Sequence, residues 1–423
     1  MVAGLNYEGP TTPTPPAGGA LFEILVSPGG GWSEPQRAKA IHYNGWTYIG
    51  TVQGGSSGDV TVVAVENATQ TPHSVVLNSS LHGEGSTADM HSNPSLLIRA
   101  SDHRLLAAYC DHDDTTIRLR VSTTSLDTDP DLSDGFQTER SLDTELGVSH
   151  YDYPCLVQLT GETGDPIYLT FRSTSSGTSR WLISKNTDAA LSGDDASNGW
   201  EVNRWVYRNT NFEPYMQINS NGIDRIDFIA QNKNEVEVTN NEIRHFYYEA
   251  GEFFGTDGTS LGTYPLATPI TPSTATLAAS GAGYHLFGLE RDAATGDIYF
   301  TASARVSGVH HVYRVMWDGA AWSTSDIATS EAPYSWGNVI DPDDPDHALL
   351  SRWSGGVADL WEYENTGSGW SGTQLSAGGG DDWLWPIFVQ DGADELKAMV
   401  LYGTYTGYTD SDFLLAVYGL DVT

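Results

Sequence analysis

The sequence predicts an all-β protein, a seven-bladed β-propeller, and three observations predict it. Its 423 residues include 45 Gly, 13 Trp and 21 Tyr, the composition of short aromatic strands joined by tight turns. Almost no stretch keeps helical periodicity long enough for a helix, which excludes a mainly helical chain. A strand–turn–strand pattern opening on a polar or aromatic residue recurs about every 50–70 residues, as in a repeat built around one axis.

Taken in order, residues 1–19 read as an extended leader rich in Pro, Thr and Gly. Residues 20–423 read as a single propeller domain, beginning with the short strand LFEILV at 21–26. From Ile41 the segments IHYNGWTYIGTVQ, SSGDVTVVAVEN and HSVVLNSS give three strands with a turn between each pair. The next unit, about 91–147, opens with ADMHSNPSLLIRASDHRLLAAYCDH over 88–112. There a polar knot at His91 and Asn93 enters an apolar run at Pro94, turns at Asp102–Arg104 and returns along Leu105–Tyr109. Later units open at Tyr153-Pro154, Pro214-Tyr215, Tyr284-His285, Tyr334-Ser335-Trp336 and Trp385-Pro386.

The last unit ends in LKAMVLYGTY and DFLLAVYGLDVT, and the 21–26 strand is expected to complete its sheet and remove the free edges. Six or eight blades, or a β-helix, are the alternatives, though these units are long and uneven for β-helix rungs. The insert Asp341–His347 (DPDDPDH) reads as a solvated turn, with calcium as the other reading; its acids lack EF-hand spacing.

Lys plus Arg total 20 against 55 Asp plus Glu, a formal net charge of -35. Such a charge repels itself unless salt screens it, so a halophilic archaeal or viral source is expected. No basic stripe exists to neutralise phosphates, which excludes nucleic acid as a partner. Nothing reads as a transmembrane span, so no membrane insertion is expected. The first residues lack a signal-peptide pattern. An extracellular protein whose signal was removed, or a virion tail protein with virion or self-association partners, both fit. Cys110 and Cys155 lie in apolar strands and form no disulfide scaffold.

His91, Tyr153 and Tyr215 occupy equivalent phases of three consecutive units, so their side chains are expected at one end of a shared channel. Arg172, in IYLTFRSTS, sits in an apolar β context, where a guanidinium is either paired with an acid or presented to a ligand. An imidazole, two phenols and a guanidinium suit β-elimination at a uronic acid. The guanidinium matches the sugar carboxylate, one group removes the C5 proton and another protonates the departing 4-linked oxygen.

The stretches ADMHSNPSLLIRASDHRLLAAYCDH, YPCLVQL with IYLTFRS, EPYMQINSNGIDRIDFIAQ and EIRHFYYEAGEFFGTDGTSLG resemble the BNR-repeat-containing family, which includes seven-bladed ulvan lyases. The resemblance covers roughly 40–265 well and the remainder mainly as blade rhythm. It implies a lyase cutting a uronate-containing, often sulfated polysaccharide. It places the family's histidine on His91, its central tyrosine on Tyr153, its carboxylate-neutralising arginine on Arg172 and a further tyrosine on Tyr215. Asn93, Arg225, His245, Tyr284 and Trp336 are the expected substrate-binding positions. No cofactor is required; a structural zinc is implied as an option, with Cys110, His112 and His150 as its expected ligands.

A charge of -35 should repel an acidic polymer. Arg99, Arg104, Arg118, Arg120, Arg172, Arg225 and Arg244 are expected to reverse the field locally. The same features fit a second class, a non-catalytic propeller that binds a cell-surface glycan from a viral tail or envelope.

Overall fold

The computed structural model describes residues 21–420 except 26–29, 34–35, 55–57, 80, 82–87, 113, 143–149, 174–178, 187–198, 202–203, 211–212, 233–240, 293, 332–336, 377–380, 394–395 and 406–412. The expected leader and Trp336 therefore lie outside the described residues.

The architecture is all-β and propeller-like. Four sheets have four antiparallel strands each, within residues 95–141, 152–208, 285–330 and 338–374. A six-stranded sheet spans 215–281, its extra hairpin formed by Glu252–Gly255 and Ser260–Thr263. The remaining sheet has eight strands. It runs from Leu21–Leu25 through Phe413–Leu420, Leu396–Tyr405 and Asp382–Ala393 to Ala40–Tyr43, then out to Thr71–Asn78. The repeat expected at 41 and the one expected at 385 thus share one hydrogen-bonded sheet. Their join is a single parallel register pair, Ile41 with Gln390.

Closure follows the expectation for the 21–26 strand. Leu21 pairs with Leu420 and Leu25 with Val417, with a bulge at Glu23, and the Tyr418 hydroxyl donates to Glu23 at 2.9 Å. The outer edge of Phe413–Leu420 is covered in this way.

Alternation along each strand decides which neighbouring sheet a side chain meets. In Ile167–Ser173 every residue is buried. Ile167, Leu169 and Phe171 pack toward the 95–141 sheet, while Tyr168 packs toward the 215–281 sheet. Arg172 shares the Tyr168 phase, so an arginine enters an apolar layer between two sheets.

The first strands of the sheets surround a channel. A cavity of 930 Å³ occupies its part nearer the ends of those strands, against Gln158, Asn219, Glu290, Val339 and Gln390. Arg37 crosses this space to hydrogen-bond the Leu289 carbonyl and the Glu290 carboxylate, and Asn219 holds the other Glu290 oxygen at 2.7 Å.

The Asp341–His347 turn is only partly solvated. Asp343, Asp344 and Asp346 are exposed, but Asp341 is buried. Lys397 Nζ lies 2.5 Å and His347 Nδ1 3.2 Å from its Oδ2, so two cationic side chains balance that carboxylate. His347 Nε2 also meets Glu362 at 2.8 Å. Burial works against a charged His347, but its bonds to Asp341 and Glu362 outweigh it and raise the ring to about 9. Against an ordinary 6.5 this is worth about 3 kcal/mol. Because the folded value is the higher one, the stabilisation is complete below pH 6.5 and is lost as pH rises through 9. Melting curves should show His347→Gln well below wild type at pH 6.5 and converging with it above pH 9; a constant gap would refute the assignment.

Candidate active site

His91 stands on one 3₁₀ turn, Met90–Ser92, capped by Asp89. Asp89 Oδ1 accepts from the His91 backbone N–H at 2.8 Å and lies 2.6 Å from His91 Nδ1. Burial opposes ionisation of Asp89, but the hydrogen bonds from His91 and the nearby His112 ring hold its carboxyl below the ordinary value. An ionised Asp89 only accepts, so Nδ1 carries the proton and the neutral ring keeps its basic lone pair on Nε2.

Tyr153 is set by a bulge. The register of Asp152–Gln158 shifts between Asp152 and Cys155, where Pro154 has no N–H to give the ladder. Tyr153 takes φ +54°, a left-handed conformation that costs a non-glycine residue energy. Trp385-Pro386 repeats the device, with φ +45° and a shift between Leu384 and Ile387.

Four of the expected site residues meet here. The Tyr153 ring lies 5.6 Å from His91 and 5.8 Å from Tyr215, centre to centre. The Arg172 guanidinium lies 4.7 Å from the Tyr153 ring centre and 4.9 Å from that of Tyr215, a cation–π arrangement. His112, expected as a zinc ligand, stacks on His91 at 4.7 Å. Tyr153 and Arg172 are buried; His91, His112 and Tyr215 keep some exposure.

Arg172 is also paired. Asp152 Oδ2 accepts from its Nε at 3.1 Å and Nη2 at 2.9 Å, while Nη1 is buried with no hydrogen-bond partner. Burial opposes its charge, but the Asp152 carboxylate helps hold its pKa above the usual guanidinium value. Burial pushes the Tyr153 phenol well up, more than Arg172 lowers it, so Tyr153 holds its proton. Asn93 is fully buried: its Oδ1 accepts from the Ser33 N–H at 3.0 Å, and its Nδ2 has no hydrogen-bond partner.

Other expected residues go elsewhere. Arg225 and His245 converge on buried Asp227, with Arg225 Nη2 at 2.7 Å and His245 Nε2 at 3.3 Å. Burial and the nearby arginines hold His245 below its ordinary pKa. Tyr284 stacks on Tyr313 at 6.3 Å. The expected zinc ligands do not assemble: Cys110 is buried, its thiol donating to the Tyr151 carbonyl at 3.6 Å and pushed well up in pKa by burial. Among the described residues the one group of three with metal-binding spacing is Asp89, His91 and His112, with ligand atoms within 4.8 Å of one another. Two imidazoles and a carboxylate suit an open zinc site, but the 2.6 Å Asp89–His91 contact is a hydrogen-bond distance that an ion would have to part.

The expected reversal of the field by arginines is not what most of them do. Arg99 and Arg104 pair with Asp102, Arg118 with Asp114, Arg225 with Asp227 and Arg244 with Glu242. With 55 acids for 20 basic residues, nearby carboxylates take the guanidinium charge. Sequence reasoning passed over Asp152 as a partner and Asp89 as the histidine's anchor; their signals were an acid adjoining Tyr153 and an Asp-x-His spacing.

The family model for a BNR repeat-containing family member matches residues 46–330. No curated protein matches the chain. Among solved structures, the chain is similar to a PL25 ulvan lyase bound to -[GlcA(1-4)Rha3S]-, with TM-score 0.68 and 14% identity over 95% of this chain and 96% of that one. It is similar to the polysaccharide lyase Uly1 at TM-score 0.58 and 12% identity, over 93% of each chain. A puromycin hydrolase matches at TM-score 0.53 and 13% identity, over 92% of this chain and 52% of that one. At these identities the likeness is one of fold.

Removing one member of a buried ion pair strands the other, at about 3–5 kcal/mol. Asp152→Asn should therefore lower the melting temperature sharply, and adding Arg172→Met should recover most of the loss. A double variant as unstable as the single one would refute this account.

Proposed function

The chain belongs to the BNR repeat-containing family, and from that premise we propose that it is a polysaccharide lyase cleaving a uronate-containing, sulfated polysaccharide by β-elimination. We count the eight-stranded sheet as two blades joined by one parallel pair, which makes seven. The observation that carries the reading is the meeting of His91, Tyr153, Tyr215 and Arg172, drawn from three consecutive units, at one end of the channel.

His91 Nε2 removes the C5 proton, with Asp89 fixing the tautomer and stabilising the imidazolium. The electrons form the C4–C5 double bond as the C4–O bond breaks, and Tyr153 gives its proton to the departing oxygen. Tyr215 carries the more exposed edge of the phenol pair. The unpartnered donors Arg172 Nη1 and Asn93 Nδ2 are assigned to the sugar carboxylate, whose polarisation acidifies C5. The chemistry calls for no cofactor. The protein would act outside the cell or on a virion.

Glycan binding without turnover is the second reading, favoured by the Asp152–Arg172 pair, which offsets the charge meant for the substrate. The test is the ultraviolet absorbance of the unsaturated uronyl product. Wild type should generate it from sulfated glucuronate polymers, and His91→Ala or Tyr153→Phe should lower kcat by about 10²-fold or more. A wild type that binds such a polymer and yields no product leaves only the binding reading.

The pH profile gives a further check. An acid held above its ordinary 10.0 stays protonated, so the rate should not fall through Tyr153 ionisation below pH 10. A tyrosine-dependent fall near neutral pH would reverse the assigned roles.

A further inference from the structure

The 285–330 sheet carries a hairpin that reaches past its own inner strand. His285, where that strand begins, pairs with Ser303. The second strand runs on through Ala304, Arg305 and Val306 and turns at Ser307-Gly308 into the third, Val309–Trp317. At ordinary strand rise the tip stands about 10 Å beyond the inner-strand start. The inner strand His285–Arg291 packs beside Tyr215–Ser220, and both end at the channel cavity, where Asn219 meets Glu290. Their starts therefore lie at the opposite end, with Tyr153 and Tyr215, and the hairpin stands beside the candidate site.

One face of this hairpin presents a row of rings. Along Val309–Trp317 alternate residues face the 215–281 sheet, where Val315 packs in one cluster with Ile229 and Ile243. His311 and Tyr313 share that phase. Their rings are 5.8 Å apart and 15° from parallel, and Tyr313 lies 6.3 Å and 23° from Tyr284. Tyr284 is fixed from the neighbouring sheet: Asn241 Nδ2 donates to its carbonyl at 2.7 Å, and a Cβ at Gly281 would stand 2.7 Å from its ring, so glycine makes the room it occupies. All three rings keep some exposure. Val309, on the same face at the tip, is 46% exposed, so the row opens to solvent and not into a covered layer.

The wall is also unusual in charge. Residues 298–317 contain no Asp or Glu in a chain that has 55 of them. Asp326, in register with Tyr313, is held by His311 Nδ1 at 2.7 Å. An acidic polymer thus meets no carboxylate of the hairpin's own on this side of the cluster.

We infer that Tyr284, Tyr313 and His311 form a stacking subsite for the pyranose rings of an acidic polysaccharide chain that leaves the His91–Tyr153 cluster past Tyr215. The C–H face of a pyranose is apolar and can lie on an aromatic ring while its hydroxyl and acid groups stay in water. Such a wall holds an acidic sugar without an ion pair. This inference rests on the proposed carbohydrate reading and deepens it by naming the surface that binds the chain beyond the reacting sugar.

The test is titration calorimetry with a sulfated glucuronate polysaccharide, at low and at high salt, of wild type, Tyr284→Leu, Tyr313→Leu and the matching Phe variants. Leucine keeps an apolar side chain over the buried cluster and removes the ring. Each Leu variant should bind about fivefold more weakly, the cost of one aromatic contact, and the Phe variants as wild type does. The factor should be the same at both salt concentrations, because stacking is not screened. His311→Ala alters only a partly exposed ring; it should also weaken binding, and it serves where a leucine variant fails to fold. Folded variants that bind as wild type does, or a loss that disappears in high salt, overturn the inference and leave the carbohydrate reading standing. A wild type that binds no such polymer removes both. Product formation is measured separately, and a protein that binds through these rings without releasing unsaturated product removes the lyase reading alone.

Discussion

The buried pair between Asp152 and Arg172 is the constraint from which the candidate site takes its form. Arg172 occupies the strand phase that alternation directs into the layer between two sheets, a place where an unpaired guanidinium would be costly. Asp152, across the ladder, removes most of that cost through two hydrogen bonds. The rings of Tyr153 and Tyr215 cover the cation within 5 Å on their faces. His112 Nε2 approaches the second Asp152 oxygen at 3.9 Å, and its Nδ1 approaches Asp89 at 3.7 Å. Two carboxylates and the His112 imidazole thus link His91 to Arg172 across two neighbouring sheets.

Much of the fold was legible because the repeat announces itself where each inner strand begins. Tyr153-Pro154 and Trp385-Pro386, read in the sequence as unit openings, lie at register shifts in the inner strands of the structure. The strand at 21–25 was readable as a closing edge because a short, mostly apolar run stands between Gly/Pro-rich stretches of sequence. The sharing of one sheet by the first and last repeats was not legible. It rests on one parallel pair, Ile41 with Gln390, and no local pattern encodes a pairing across that separation.

The site was legible in part, for a related reason. His91, Tyr153 and Tyr215 open successive units, so repeat phase alone brings them together. Arg225 and His245 lie within strands, and there the face of the sheet decides their company. Both turn to Asp227, whose carboxyl is held at about 2; burial opposes that charge, and the bonds from His245 and Arg225 outweigh it. Cys110 and His112 are two residues apart, the spacing of one face of a strand. The chain has already left the Leu105–Tyr109 strand at Cys110, so strand alternation no longer applies and only His112 reaches the histidine cluster.

The proposed division of acid and base rests on two environments that act in opposite directions. Around Asp89, hydrogen bonds from a backbone amide and an imidazole favour the charged carboxylate over burial, and that carboxylate holds His91 by Nδ1. Around Tyr153, burial dominates the pull of Arg172 and keeps the phenol neutral. A phenol that cannot ionise is unsuited to take a proton and well suited to give one to an oxygen that is becoming an alkoxide. The left-handed backbone at Tyr153 fixes that hydroxyl donor beside the histidine instead of letting it follow the regular pleat. The proposed separation of the two proton-transfer roles rests on a left-handed strand start, a repeat-phased histidine and one paired arginine.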